Sequence, residues 1–368
     1  MASTIINLFF SFIVLLLRLH SSVAQSGGMK GIYWFSGSEF PVSDIDSTLF
    51  THLFCAFADL DPNTFQVTIS SSNSANFKTF TQIVQRKNPT VKTILSIGGG
   101  GANADTFAAM ASQSNSRKSF IDSSISLARS NNFSGIDIDW EYPSTQTQIS
   151  SFLALCTEWR AAVEKESQSS GKSRLFLSAA VFRSSNYYGL ALPASFLGTK
   201  LDWINVMCYD FYGPGWSPNF TAPPAALFGS GGQVNCDAGI TSWIQSGFPA
   251  SKIMLGIPFY GWAWRLVNQS NNGLYAPAMG EGIEDGAITY KGINAFKAKN
   301  RVNSVYNGTV VTNYVSSGPT WIGYDDKQSV VAKVGYCKNK GLFGYFAWHV
   351  GADDNWTLSK TASTTWSK

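Results

Sequence analysis

Histidine is almost missing from this chain: there are three, and His20 falls in a leading apolar segment, leaving His52 and His349 for the rest. That excludes a His-rich metal cluster and leaves little room for a His-based nucleophilic triad. His52 stands in an apolar run and reads as a satisfied core histidine, and His349 reads as structural. The five cysteines, Cys55, Cys156, Cys208, Cys236 and Cys337, show no CxxC spacing, which argues against zinc. Cys55 and Cys208 lie in strand-like apolar runs and read as buried thiols; one pair among the other three is a candidate bridge. The odd count leaves at least one thiol free in a monomer, the expected state. No GxGxxG is followed by an acidic partner, so a nucleotide cofactor is not supported. A net charge of +4 without clusters gives no basis for a nucleic-acid partner. No stretch approaches the ~20 apolar residues that span a bilayer, so no membrane partner is expected. Charged residues are only 14% of the chain, and carboxylates must carry any acid–base chemistry.

The N-terminal apolar run Leu8-Phe9-Phe10-Ser11-Phe12-Ile13-Val14-Leu15-Leu16-Leu17 precedes small residues at Ser22-Val23-Ala24. Residues 1–24 therefore read as a signal peptide, although no Lys or Arg precedes the run. A secreted chain starting near Gln25 is expected, extracellular or vacuolar. Five Asn-x-Ser/Thr sequons, at Asn132, Asn219, Asn268, Asn307 and Asn355, fit that route.

Aromatic residues are as abundant as charged ones, with 12 Trp, 14 Tyr and 26 Phe. Such rings build large cores and also flat platforms for sugars. The most unusual stretch runs Phe133-Ser134-Gly135-Ile136-Asp137-Ile138-Asp139-Trp140-Glu141-Tyr142-Pro143. Its alternation puts Ile136, Ile138 and Trp140 on one face of a strand and Asp137, Asp139 and Glu141 on the other. Alone, this pattern also suits a solvated sheet face or a divalent-metal site built from hard oxygens.

The neighbouring chain decides between these. Strand-like runs are expected at 30–35, 49–58, 91–97, 175–181, 203–210, 253–260 and 342–348, with the acidic strand fourth among eight. Helical spacing is expected at 76–87, 104–131, 146–166 and 329–338. Residues of mixed pattern, about 265–324, interrupt the series before the last helix and strand. Alternation of this kind predicts an α/β fold, a (β/α)8 TIM barrel carrying a small α+β insertion between strands 7 and 8. In a barrel the carboxyl face of the fourth strand points into the core, where an unpaired charge is costly. The solvated-face reading then loses its basis.

With these elements in place the chain resembles glycoside hydrolase family 18 and, within it, the plant class V chitinases. The residues that carry the resemblance are Ser96-Ile97-Gly98-Gly99, the Asp137-x-Asp139-x-Glu141 run with Trp140 and Tyr142-Pro143, Met207-x-Tyr209-Asp210, and Trp348. They stand in the family's order at strand ends, across nearly the whole of residues 25–368. Two positions depart from the family pattern: Ser134 replaces a frequent Asp, and Gly100 stands where animal members carry an aromatic. Trp216, Trp262 and Trp264 are candidates for the missing platform.

The resemblance implies hydrolysis of β-1,4 bonds between N-acetylglucosamine units, without metal or other cofactor, on chitin or chitooligosaccharides. It implies a retaining mechanism in which the substrate's acetamido oxygen is the nucleophile. Glu141 is then the proton donor, Asp139 the partner of the acetamido N–H, and Asp137 a deeper group sharing a proton or hydrogen bond with Asp139. Tyr209 donates to the acetamido oxygen, Asp210 contacts the sugar, and Trp348 forms the floor. Tyr142, Met207, Gly98 and Gly99 are further substrate-contact candidates. Two alternatives stay open: a chitin-binding lectin on the same barrel, and a hydrolase of lipo-chitooligosaccharides.

Overall fold

A computed structural model describes residues 28–229 and 231–368. The expected leader lies outside the described residues. Among them, no helix is long and apolar enough to cross a membrane.

Eight parallel strands make one closed sheet: β1 (Met29–Phe35), β2 (His52–Leu60), β3 (Lys92–Gly98), β4 (Gly135–Asp139), β5 (Phe176–Val181), β6 (Trp203–Val206), β7 (Ile253–Pro258) and β8 (Gly344–Trp348). Each pairs with its neighbours in chain order, and β1 closes the ring by pairing with both β8 and β2. Apolar side chains pack on both surfaces of this wall. Ile136 and Ile138 face outward, joining Phe107, Phe152 and Trp159 of the surrounding helices. Inside, Met29, Tyr33, Phe54, Ile94, Trp203, Met254 and Phe346 fill the lumen, so the barrel is a packed core and not a pore.

The helices start where local chemistry permits. Asn103 caps Ala104–Ser112 by accepting from the N–H groups of Asp105 and Thr106, and Thr145 caps Gln146–Ser170 by accepting from Gln148. Gly171, at φ 70°, ends the latter in the left-handed conformation. The single helix expected over 104–131 is two, because Gln113 is extended between Ala104–Ser112 and Ser114–Ser130. The Gln113 carbonyl instead accepts from the Arg117 N–H and the Ser116 hydroxyl. Outside the insertion, three helices were not legible in the periodicity: Ala194–Lys200, Cys236–Gln245 and Thr357–Ser367.

The interruption before β8 is a second, antiparallel sheet with one helix, Tyr290–Asn300. Its central strand is Tyr260–Leu266, so the insertion begins at Tyr260, a residue read from sequence as the end of the seventh barrel strand. Trp264, Leu266, Ala276, Ala278 and Trp321 form its own small core. A buried Lys333–Asp325 ion pair holds the return to the barrel, with Lys333 also donating to the Ala225 carbonyl.

All five cysteines are free and buried. The bridge expected among Cys156, Cys236 and Cys337 does not form: the Cys236 thiol donates to the Cys208 carbonyl at 3.5 Å, and burial raises the Cys337 thiol. Each thiol behaves as a small apolar core group.

Candidate active site

The geometry begins in the register of three strands. Ser96 on β3, Asp137 on β4 and Ser178 on β5 are aligned partners, so one layer of the lumen carries hydroxyl, carboxylate and hydroxyl side by side. Asp137 is fully buried, and its Oδ2 accepts from the Tyr33 hydroxyl and the Ser96 hydroxyl, both at 2.8 Å. Its Oδ1 accepts from the Ser178 hydroxyl at 2.6 Å and from Asn205 Nδ2 at 3.4 Å. Asn205 Nδ2 also donates to the Tyr33 oxygen at 2.8 Å, tying the donors to one another. Burial raises the Asp137 carboxyl to about 6, and the bonds from Ser178, Ser96 and Tyr33 oppose that rise.

Two residues further along β4, Asp139 is 5% exposed, and its Oδ1 has no partner. Burial raises its carboxyl most, followed by the charge of Glu141, the charge of Asp137 and a hydrogen bond to Glu141. That bond raises the Asp139 carboxyl and lowers the Glu141 carboxyl, so the two titrate as a pair. This differs from the sequence expectation, since Asp139 bonds upward to Glu141 while Asp137 is saturated by neutral donors. Glu141 lies just past the end of β4, at the mouth. Burial raises its carboxyl first and the charge of Asp210 adds to this, whereas bonds from Tyr142 and Asp139 work the other way.

Glycines make this approach possible. Gly98 and Gly99 have φ of 107° and 86°, and a Cβ on Gly98 would sit 2.4 Å from the Asp139 carbonyl oxygen. The Gly99 N–H donates to that same oxygen at 2.9 Å. A Cβ on Gly100 would lie 3.3 Å from Glu141 Oε1, so an aromatic in this place would crowd the acid from the side. Gly98 lines the open groove, while Gly99 packs behind it against the Phe57 ring.

The groove has a volume of about 510 Å³. Asp139, Glu141, Tyr142, Met207, Tyr209, Asp210 and Trp348 all line it, and Asp137 sits beneath. Trp348 stacks on Phe57 with ring centroids 5.5 Å apart and planes 22° from parallel, with Tyr33 and Phe35 behind it. The strand expected to run to Asp210 ends at Val206, and the chain turns at Asp210, whose φ is 57°. Its Oδ1 accepts from the Tyr260 hydroxyl at 2.6 Å and from Trp262 Nε1 at 2.8 Å, both in the insertion. The insertion thus reaches into the site, and burial still raises the Asp210 carboxyl against those two bonds. Tyr209 keeps its phenol proton because burial and then the charges of Asp139, Asp210 and Glu141 oppose ionisation. Trp216 stands at the exposed rim against Trp262, with centroids 4.9 Å apart, whereas Trp264 is buried in the insertion core.

Sequence reasoning missed Tyr33, Ser178, Asn205, Tyr260, Phe35, Phe57, Asp59 and Asn73. A usable signal existed for the first three. Each is an isolated polar group in an apolar barrel strand, and a buried polar group requires a partner. Among the described residues, no group of three or more His, Cys, Asp or Glu side chains is arranged to hold a metal ion.

Comparison with known proteins agrees with this geometry. The family model described as glycosyl hydrolases family 18 matches residues 30–353. A class V chitinase of Arabidopsis thaliana is 57% identical over 356 residues, covering 96% of this chain and 93% of that protein. A glutamate-to-glutamine mutant of class V chitinase from Nicotiana tobaccum, solved in complex with NAG4, superposes with a TM-score of 0.91 at 52% identity, covering 93% and 99% of the two chains. A chitinase-like agglutinin from Robinia pseudoacacia superposes with a TM-score of 0.87 at 55% identity, covering 92% and 99%.

Proposed function

The chain belongs to the glycosyl hydrolases of family 18, and from that premise we propose that it is a secreted chitinase acting by a retaining, substrate-assisted mechanism. The observation that carries the reading is the Asp139–Glu141 pair, two hydrogen-bonded carboxyls raised by burial that both line the groove.

A carboxyl raised by burial holds its proton at a higher pH than a free one and can hand it to a leaving oxygen. When an N-acetylglucosamine ring lies over Trp348, the proton of the pair resides on Glu141. Asp139, now ionised, accepts from the acetamido N–H. The Tyr209 hydroxyl donates to the acetamido carbonyl, which holds that oxygen under the anomeric carbon. The carbonyl oxygen bonds to the anomeric carbon as the glycosidic C–O bond breaks, and the Glu141 proton passes to the departing oxygen. The result is an oxazolinium ion whose charge faces Asp139. Water then enters from the side the leaving sugar vacated, loses a proton to Glu141 and opens the ring. The product is a β-anomer, and Glu141 is reprotonated. Asp137 stays fixed throughout by its four donors, and its role is to hold negative potential beneath Asp139.

The agglutinin likeness supports a second reading, sugar binding without turnover. One experiment separates the two. Chitohexaose is incubated with the wild type and with Glu141→Gln, and cleavage and binding are both measured. Hydrolysis by the wild type, reduced by on the order of 10²–10⁴-fold or more in the variant with binding retained, supports the chitinase. Binding without cleavage in the wild type leaves the agglutinin reading standing instead.

A further inference from the structure

Every charged side chain that lines the groove is a carboxylate: Asp59, Asp139, Glu141 and Asp210, with no lysine or arginine among the lining residues. The chain as a whole is basic, with net charge +4, so the groove is a local acidic strip on a cationic protein. Three of these carboxylates are engaged around the cut. Asp59 is not.

Asp59 stands on β2 near the end of the strand, exposed, with the buried Ala58 separating it from Phe57. Phe57 and Asp59 therefore share the groove-facing side of the strand. Two strand spacings separate β2 from the acidic strand β4, about 10 Å. Asp59 also lines an adjoining cavity of about 340 Å³ with Leu60, Pro62, Asn103 and Thr106, so it sits on the partition between groove and side cavity. Among the described residues it takes part in no ion pair. Burial raises its carboxyl even though it accepts from the Ser70 N–H.

We propose that Asp59 reads a free ammonium on a deacetylated sugar, making partly deacetylated chitin a preferred substrate. The inference rests on the chitin-cleaving reading above. A glucosamine unit cannot occupy the position over Trp348 productively, because it lacks the carbonyl oxygen that serves as nucleophile. Held two strands away by Asp59, the same unit fixes the chain so that an acetylated neighbour lies over Trp348. Asp59 is thus a specificity residue that sets where a mixed polymer is cut.

The test compares wild type and Asp59→Asn on fully acetylated chitohexaose and on partly deacetylated chitosan, with products sequenced by mass spectrometry. Asp59→Asn keeps a carbonyl for the Ser70 N–H, and a thermal midpoint equal to wild type reports that it folds. On the mixed polymer the wild type should place glucosamine at one fixed distance from the cut. The variant should lose that enrichment and drop roughly three- to fivefold in kcat/KM, the size expected of a half-exposed ion pair. Identical product patterns in the two proteins, or glucosamine scattered at random by the wild type, overturn this inference alone. A wild type that cleaves neither polymer overturns it together with the reading beneath it.

Discussion

Asp137 and Glu141 are four residues apart in the sequence and occupy opposite chemical situations. Asp137, on the barrel floor, is surrounded by Tyr33, Ser96, Ser178 and Asn205, all neutral donors. Glu141, on the rim, faces other carboxyls, and its neighbours Asp139 and Asp210 are themselves raised by burial. The floor makes a buried charge tolerable by saturating it. The rim buries its acids beside one another, which raises all of them and favours the protonated form that general-acid work needs. One strand thus carries a structural carboxylate and a chemical one, and the difference lies in the donors that adjacent strands supply.

Substitutions should separate the two regions, and the largest effect belongs to the rim. Glu141→Gln should abolish nearly all turnover, as stated above, yet leave the thermal midpoint close to wild type, because an amide of the same shape replaces a carboxyl whose charged form burial and Asp210 already disfavour. Tyr209→Phe should follow, with kcat lower by about 10²–10³-fold, the typical loss for one donor aimed at a reacting oxygen. Steady-state kinetics on chitohexaose would check both.

On the floor the readout reverses. Asp137→Ala orphans donors on four strands and should cost about 3 kcal/mol of stability or more, measured by denaturant unfolding. Its pH dependence has a definite sign. The folded carboxyl titrates at about 6, above the ~3.9 of an unfolded aspartate, so folding takes up a proton between these values. Stability from this group is present below about pH 4 and is lost as pH rises through about 6. Asp137→Asn should lack that part of the pH slope. The smallest expected effect is Ser178→Ala, which removes the 2.6 Å bond and should cost about 1 kcal/mol. A floor substitution that abolished catalysis at full stability would erase the distinction drawn here.

Legibility in the sequence followed the same divide. The acidic strand was readable because its alternation is local, from Gly135 to Glu141, and the eight strands were readable as apolar runs at regular spacing. Tyr33, Ser96, Ser178 and Asn205 converge from four strands that are distant in the chain, and only register brings them to one carboxylate. The grip of Tyr260 and Trp262 on Asp210 was hidden for a similar reason, since Tyr260 completes an apolar run and belongs to a different sheet. Short helices such as Ala194–Lys200 carry too few turns to display a period. Gln113 divides a helix through a backbone change that composition does not signal.

The central claim is that Glu141 is the acid and base while the sugar supplies its own nucleophile. Proton NMR of the first products from chitohexaose, recorded before mutarotation, tests it directly. The account predicts newly formed reducing ends in the β configuration. Newly formed α ends would mean direct attack by water with inversion, and would contradict it.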